Sequence, residues 1–458
     1  MTTRRTSIHG EWSSRLAFVL AATGSAVGLG NIWRFPYLTG ENGGGAFVLI
    51  YIACVILLGV PIMMAEILLG RRGRQSPINT MRTLAQEEGR SPAWQTLGWL
   101  GMTAGFLILS FYSVVGGWTL AYVLRTASGM FDGATADGVL AIFNGFVADP
   151  ERLLAWHTVF MVMTTVVVAR GVKSGLEQAV RFMMPTLFVL LVAMVGYAMN
   201  TGAYDQAVAY LFTPDFSKVT WGVVLSAMGQ AFFSLSLGMG AIMIYGSYLS
   251  HTASIPRMSF IIAGLDTTVA LLAGLAIFPL VFAYGLQPQG GPGLIFMTLP
   301  IAFGQMSGGA LFGTAFFVLL VFAAWTSAIS LLEPIVAWLV ENKGINRVTA
   351  ATGAGIAVWL FGAGSVLSFN LWSEYKFLGK TFFDLTDYLT SNIMLPMGGL
   401  LIAVFAVWMM SSESSRSELG LRDGIAYRTW RFLVRYLAPI AILLVFLQVT
   451  GLLSASTG

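Results

Sequence analysis

GSAVGLGNIWRFPYLTGENGGGAF, residues 24–47, sits in the first strongly apolar run of the chain and interrupts it with glycines, an asparagine and an arginine. Gly24, Gly28 and Gly30 loosen the helical hydrogen-bond ladder where Ser25, Asn31 and Arg34 carry polar groups to bilayer depth. Such groups persist in hydrocarbon only where protein buries them or where they line a protected cavity. The first apolar segment therefore reads as a broken helix beside a ligand site.

The rest of the chain fixes the class. Of its 458 residues, 56% are hydrophobic and 10% charged, with a mean hydropathy of +0.77, far more apolar than a soluble domain. A transmembrane helix needs roughly 20 apolar residues. Stretches of that kind centre on 12–38, 45–69, 93–125, 153–170, 178–199, 221–248, 258–283, 310–341, 347–369, 384–410 and 430–453, which predicts an all-α polytopic membrane protein with eleven spans. The polar N-terminal lead has no small-residue cleavage site, which argues against a cleaved signal peptide. Cys54 is the only cysteine, so an intrachain disulfide and a cysteine-based metal site are excluded. His9, His157 and His251 fall in no ligand spacing, and no nucleophile–base dyad stands out, so the chain does not read as an enzyme.

Lys and Arg set the orientation. With a cytoplasmic N-terminus, 19 of the 25 fall in inner segments and five in outer ones (Arg125, Arg152, Lys218, Lys376 and Lys380), leaving Arg34 within the membrane. This asymmetry predicts the N-terminus inside and, with eleven spans, the C-terminus outside. The pI near 9.2 then reports a basic belt facing anionic lipid headgroups, with no nucleic-acid partner implied.

No linker divides the chain, so residues 1–458 read as one domain. Phe233-Ser-Leu-Ser-Leu-Gly-Met-Gly240 interrupts the sixth apolar segment much as residues 24–31 interrupt the first. Interruptions at matching places in two halves point to an inverted-repeat transporter with its site at the midplane. The repeats would span about 12–199 and 221–410, with 430–453 an additional helix. The alternative for either glycine cluster alone is close helix packing.

A broken helix bares carbonyls at one half-end and N–H groups at the other, at roughly a few kcal/mol per unpaired group in hydrocarbon. Carbonyls and hydroxyls suit a hard cation such as Na⁺, and half-helix N-termini suit a carboxylate. Ser234, Ser236, Thr326 and Ser327 offer neutral oxygens, Asn31 an amide oxygen and Asp266 a formal charge. A bare carboxylate at the position of Asp266 would cost about 2.5–3.5 kcal/mol, so a cation partner is expected there. The alternative is a protonated structural aspartate. Glu66, Glu177 and Glu333 are weighed at least equally as structural partners of freed backbone N–H groups.

Trp33-Arg34-Phe35-Pro36-Tyr37 followed by Asn42-Gly-Gly-Gly-Ala-Phe47 resembles the signature of the neurotransmitter:sodium symporter family. The resemblance continues through GVPIMMAE (59–66), Gly175 with Pro185, GQAFFSLSLGMGAIMIYGSY (229–248) and AAWTSAISLLEP (323–334), so it covers nearly the whole chain in order. It implies the family's fold, a 5+5 inverted repeat with discontinuous first and sixth helices. It also implies sodium-coupled amino-acid symport in a bacterial plasma membrane, by a monomer or weak homo-oligomer.

Carried over by position, the first of two sodium sites would use Ala26, Asn31, Ser234 and Asp266. The second would use Gly24, Val27, Ala323, Thr326 and Ser327. The substrate pocket would be lined by Ser25, Ala26, Gly28, Gly30, Ile108, Tyr112, Phe233, Ser234, Ser236, Met239, Ser327 and Leu331. Arg34 and Asp387 would form the outer gate; Trp12, Ser247, Tyr248 and Glu341 would belong to the inner one; Gly175 and Pro185 would let the fifth helix unwind.

The chain departs from the family pattern in places. His9 stands where many members place an inner-gate arginine, with Arg4 and Arg5 as candidate substitutes. Asp266 replaces a common asparagine and Ala270 a serine of chloride-dependent members, which predicts chloride independence. One helix of the commoner twelve is missing. Gly28 stands where monoamine carriers place an aspartate, so the substrate is expected to bring its own carboxylate. Ile108, Met239 and Leu331 give an apolar wall suited to neutral, hydrophobic or aromatic amino acids. Proton coupling through Asp266, and a non-transporting sensor or channel on the same scaffold, are the competing readings.

Overall fold

In a computed structural model, which describes residues 5–286 and 294–449, both glycine-rich interruptions break their helices. The first span runs as Arg15–Ala26, leaves helical geometry over 27–28 and resumes through a π-helical turn, Gly30–Arg34, continuing into Phe35–Glu41 with a bend of 54°. The sixth runs as Trp221–Ser234, is irregular over 235–240 and resumes as Ala241–Ser247. Its turn needs left-handed backbone, with φ of 83° at Gly238 and 76° at Gly240, which glycine adopts without steric penalty. Ser236 also has a positive φ, 53°, and its hydroxyl donates to the Ser25 carbonyl at 2.8 Å. Each break thus supplies a partner for the other.

Among the described residues, nine further helices are long and apolar enough to cross a bilayer, from Gly45–Gly73 to Ile425–Gln448, and the bent first pair makes a tenth. The two pieces of the sixth span, 14 and 7 residues long, are each too short to cross alone. The fifth span begins at Val172 rather than near 178, because a π-helical stretch, Val172–Glu177, precedes Gln178–Ala198. The last begins at Ile425 rather than 430, and residues 450–453 of the expected span lie outside the described residues.

The broken spans sit at the centre. Arg15–Ala26 packs against Ile255–Ala283, Gly309–Lys343 and Gln178–Ala198, and the most extensive interface in the molecule joins Gln95–Ala127 to Gly309–Lys343. The halves of the sixth span lie on successive parts of the second, Trp221–Ser234 against Gly45–Cys54 and Ala241–Ser247 against Val60–Gly73. That second crossing is backbone to backbone. A Cβ on Gly70 would meet the Met243 carbonyl oxygen at 1.9 Å and one on Gly246 the Ile67 carbonyl oxygen at 2.9 Å, the small-residue approach that membrane helices use in place of a hydrophobic drive. Outward-facing Ile56, Leu57, Val189, Val192 and Leu360 remain exposed, as lipid-facing positions should.

Candidate substrate and ion site

Beside the two breaks, three polar groups from three spans converge with almost no exposure. Asn31 Nδ2 donates to Asp266 Oδ1 at 2.7 Å and to Ser234 Oγ at 3.0 Å, and Ser234 Oγ donates to Asp266 Oδ2 at 2.6 Å. The Tyr51 hydroxyl adds a longer contact to Asp266 Oδ2, 3.4 Å. Asp266 itself is fully buried, and a carboxylate in such a place demands donors or a cation. The break lets Asn31 turn inward, because its side-chain oxygen accepts from the Gly28 N–H left free by the interrupted ladder.

A second oxygen cluster lies on the other side of the first break. The Ser327 hydroxyl is within 3.3 Å of the carbonyl oxygens of Gly24, Ser25 and Val27. Thr326 Oγ1 lies 3.1 Å from the Ala323 carbonyl oxygen, and a Cβ on Gly24 would come 3.1 Å from Thr326 Cβ. All five residues expected at the second sodium site are therefore neighbours, and their donor set is all oxygen, the preference of a hard cation.

Between the clusters, one cavity is lined by eleven of the twelve residues singled out for the pocket, together with Leu29 and Ser330. Ser234 is not among them; it bonds Asp266 instead. The Tyr112 hydroxyl accepts from the Leu29 N–H at 3.3 Å, while Ser330 accepts from the Ser25 hydroxyl at 2.8 Å. Ser330, Leu29 and Tyr51 are absent from the sequence-based set. A membrane tyrosine or a serine one turn beyond a named ligand carries no mark in the sequence, although Ser330 lies three residues after Ser327 and so shares its helix face.

Phe233 divides this cavity from a larger one of about 270 Å³ on the outer side, and both include its ring in their walls. The Arg34 guanidinium lies over that ring, 4.4 Å from its centroid. Arg34 and Asp387 attract one another electrostatically without an ion pair within 4 Å; Asp387 accepts from the Ser391 hydroxyl at 2.9 Å.

At the opposite end the Trp12 indole donates to the Tyr245 carbonyl at 3.0 Å, and the Tyr248 hydroxyl donates to Glu333 at 2.7 Å. Ser247 contributes its carbonyl oxygen, which accepts from Arg74, and Arg74 pairs with Glu11 at 3.0 Å. Glu341 accepts from the Ser76 N–H and Asn79, with His9 Nε2 at 3.1 Å. Arg5 is engaged by Glu87 at 2.5 Å, and Arg4 lies outside the described residues. Arg74, Glu11, Ser76 and Asn79 were not singled out from the sequence, because charged and polar residues near span ends ordinarily read as solvated. Glu66 does hold freed backbone: it is buried beside the sixth-span break and accepts from the Gly238 N–H at 3.1 Å. Glu177 similarly accepts from the Ser13 N–H at 3.0 Å. Gly175 lies in the π-helical stretch, and Pro185 lies within the continuous helix that follows.

Two facing helix breaks beside a shared cavity in a many-span helical protein are the architecture of inverted-repeat secondary transporters. Comparison with known proteins makes the class specific. The family model described as the sodium:neurotransmitter symporter family matches residues 9–132 and 139–456, and the chain belongs to that family. It is similar to an uncharacterized sodium-dependent transporter, YhdH, of Bacillus subtilis, with 42% identity over 97% of this chain and 98% of the relative. A second uncharacterized sodium-dependent transporter, from Haemophilus influenzae, is 33% identical over 95% and 97%. Among solved structures, MhsT in complex with L-phenylalanine superposes with a TM-score of 0.89 at 45% identity, covering 96% of this chain and 99% of MhsT. The protein is therefore a multi-pass membrane transporter of a sodium-dependent family with the inverted-repeat fold expected from the sequence.

Proposed function

We propose that this protein imports a neutral, hydrophobic or aromatic amino acid together with two sodium ions by alternating access, without need of chloride. The observation that carries the reading is the wholly buried Asn31–Ser234–Asp266 cluster at the edge of a cavity whose far wall is Ile108, Met239 and Leu331. A zwitterion's carboxylate would lie near Tyr112 and the first break, with a sodium ion shared between it and Asp266. Its apolar side chain would meet the opposite wall. The likeness to MhsT bound to L-phenylalanine supports the same substrate class. Asp266 supplies a fixed negative charge, and Ala270 offers no hydroxyl for a halide.

In this reading sodium binding from outside orders the first break, and the amino acid completes the site. Phe233 and Arg34 then close over it while Asp387 draws the outer side inward. The Trp12 and Glu341 networks open next, and unwinding of the fifth span between Gly175 and Pro185 frees the second ion. In this reading the basic belt lies on the cytoplasmic side of a bacterial plasma membrane, with the N-terminus inside and the C-terminus outside. The working unit is a monomer or weak homo-oligomer.

Uptake of labelled phenylalanine into proteoliposomes is the direct test. Saturable accumulation that needs a sodium gradient and survives replacement of chloride by gluconate is expected. Accumulation driven by a pH gradient in sodium-free buffer would replace the ion assignment, and binding without flux would remove transport altogether.

A further inference from the structure

The third span, Gln95–Ala127, and the eighth, Gly309–Lys343, run antiparallel along the substrate cavity. A Cβ on Gly313 would meet Thr126, and one on Gly105 would lie 3.5 Å from the Leu331 carbonyl oxygen and 3.6 Å from that of Met239. That pairing sorts the cavity wall into two levels. Tyr112 and Ser327 share the first, since a Cβ on Gly28 would strike both hydroxyls, and the substrate carboxylate is placed there. Ile108 and Leu331 share the second, one helical turn further along each span, about 5.4 Å. Ser330, beside Leu331, belongs to this level, and its hydroxyl accepts from Ser25 at 2.8 Å. Two hydroxyls, each on a residue only 1% exposed, therefore sit at the end of the cavity where Ile108, Met239 and Leu331 otherwise present hydrocarbon.

The hydrogens of this pair are accounted for. Ser330 donates its single hydrogen to the Ser327 carbonyl at 2.8 Å, so the hydrogen between the two hydroxyls comes from Ser25. Ser25 Oγ is the free end of that chain, and among the described residues no donor reaches it. The pair offers lone pairs to the cavity and no hydrogen. We infer that Ser25 Oγ, pinned by Ser330, accepts a hydrogen bond from the substrate's side chain, and that the preferred amino acids are aromatic ones with a ring-borne N–H or O–H, tryptophan and tyrosine, ahead of phenylalanine. The assignment rests on the amino-acid reading above and names the substrate within it. Phenylalanine or leucine would cover the wall but leave a buried acceptor against hydrocarbon. Serine and threonine are too short to cross the turn between the levels. Glutamine brings a carbonyl for which the pair has no hydrogen, and lysine a charge that no carboxylate in the cavity wall answers. A ring carrying one neutral donor satisfies the apolar wall and the lone pairs together.

The test is ligand-induced thermal stabilisation of the purified full chain at saturating sodium, titrated to a Kd. Each donor is compared with an isostere that lacks it: tryptophan with benzothienylalanine, tyrosine with para-fluorophenylalanine. At least one donor should bind about tenfold tighter than its isostere, the scale of one buried hydrogen bond. Ser25→Ala removes the acceptor and should abolish that preference. Ser330→Ala releases the Ser25 hydrogen to turn toward the cavity and should lower the preference severalfold, a second reading that holds if Ser25→Ala does not fold. Equal affinities within both pairs in the wild type would overturn the assignment. A preference that survives Ser25→Ala would overturn it too, since another group would then be reading the donor. Absence of binding by every one of these amino acids would remove the amino-acid reading and this assignment with it, whereas binding without donor preference removes only the role of Ser25.

Discussion

A Cβ on Gly28 would fall 2.7 Å from the Ser327 hydroxyl and 2.9 Å from the Tyr112 hydroxyl, so even one methyl displaces two groups of the pocket. Gly28→Ala should raise the apparent KM for phenylalanine at least tenfold, a loss of about 1.4 kcal/mol. Gly28→Asp should abolish substrate-induced thermal stabilisation while the protein still folds. Asp266 tests the ion assignment separately. Asp266→Asn keeps the size and loses the charge, so half-maximal sodium concentration for uptake should rise about tenfold, with a phenylalanine site still detectable at saturating sodium. An unchanged sodium response would remove Asp266 from the site. The side-chain oxygens of both clusters were legible because serines, a threonine, an asparagine and an aspartate inside apolar runs stand out by type, whereas the carbonyls of Gly24 and Val27 came only with the family resemblance. The Tyr51 contact to Asp266 and the Ser25–Ser330 bond were not, since their residues look like ordinary packing until the spans are assembled.

Among the elements, the fifth span carries the most testable mechanics. Its helix runs unbroken through Pro185, which donates no backbone hydrogen bond, and it begins with a π-helical stretch containing Gly175. A Cβ on Gly175 would lie 2.1 Å from the Val167 carbonyl oxygen, so the span is held tightly near its start and weakened at its middle. Pro185→Ala restores the missing donor and should slow turnover severalfold while leaving equilibrium sodium and phenylalanine binding from the outer side unchanged. Single-turnover release against equilibrium binding separates the two, and a parallel fall in both would show a merely structural proline. The break of the first span was readable from its glycines. The π-helical start of the fifth span was not, because its sequence, VKSGLE at 172–177, is polar and reads as a loop, and the span's start moved by six residues for that reason.

For the whole molecule, the basic end predicts both sidedness and energetics. Most ion pairs gather there, among them Arg5–Glu87, Arg71–Glu418, Arg74–Glu11 and Arg347–Glu333, so on the proposed sidedness the belt ties the spans together at the cytoplasmic end. Since Cys54 is the only cysteine, a Cys54→Ala background allows exposed single reporters. Tyr375→Cys should react with a membrane-impermeant maleimide on intact cells, and Gln86→Cys only after permeabilisation; the reverse would invert the molecule. With that sidedness, two sodium ions and a neutral zwitterion carry two positive charges inward. Each charge contributes about 2.3 kcal/mol per 100 mV, so an imposed inside-negative potential of 100 mV should raise the accumulation ratio roughly two-thousandfold over the zero-potential value. A single ion would give roughly fiftyfold. The slope of log accumulation against potassium diffusion potential, at fixed sodium on both sides, therefore counts the net charge carried. A slope of one charge would leave the second oxygen cluster, around Ser327 and Thr326, without a transported ion, or require an outward proton to accompany each cycle. Repeating the measurement with internal pH clamped distinguishes those two cases, because only the second responds to the proton gradient.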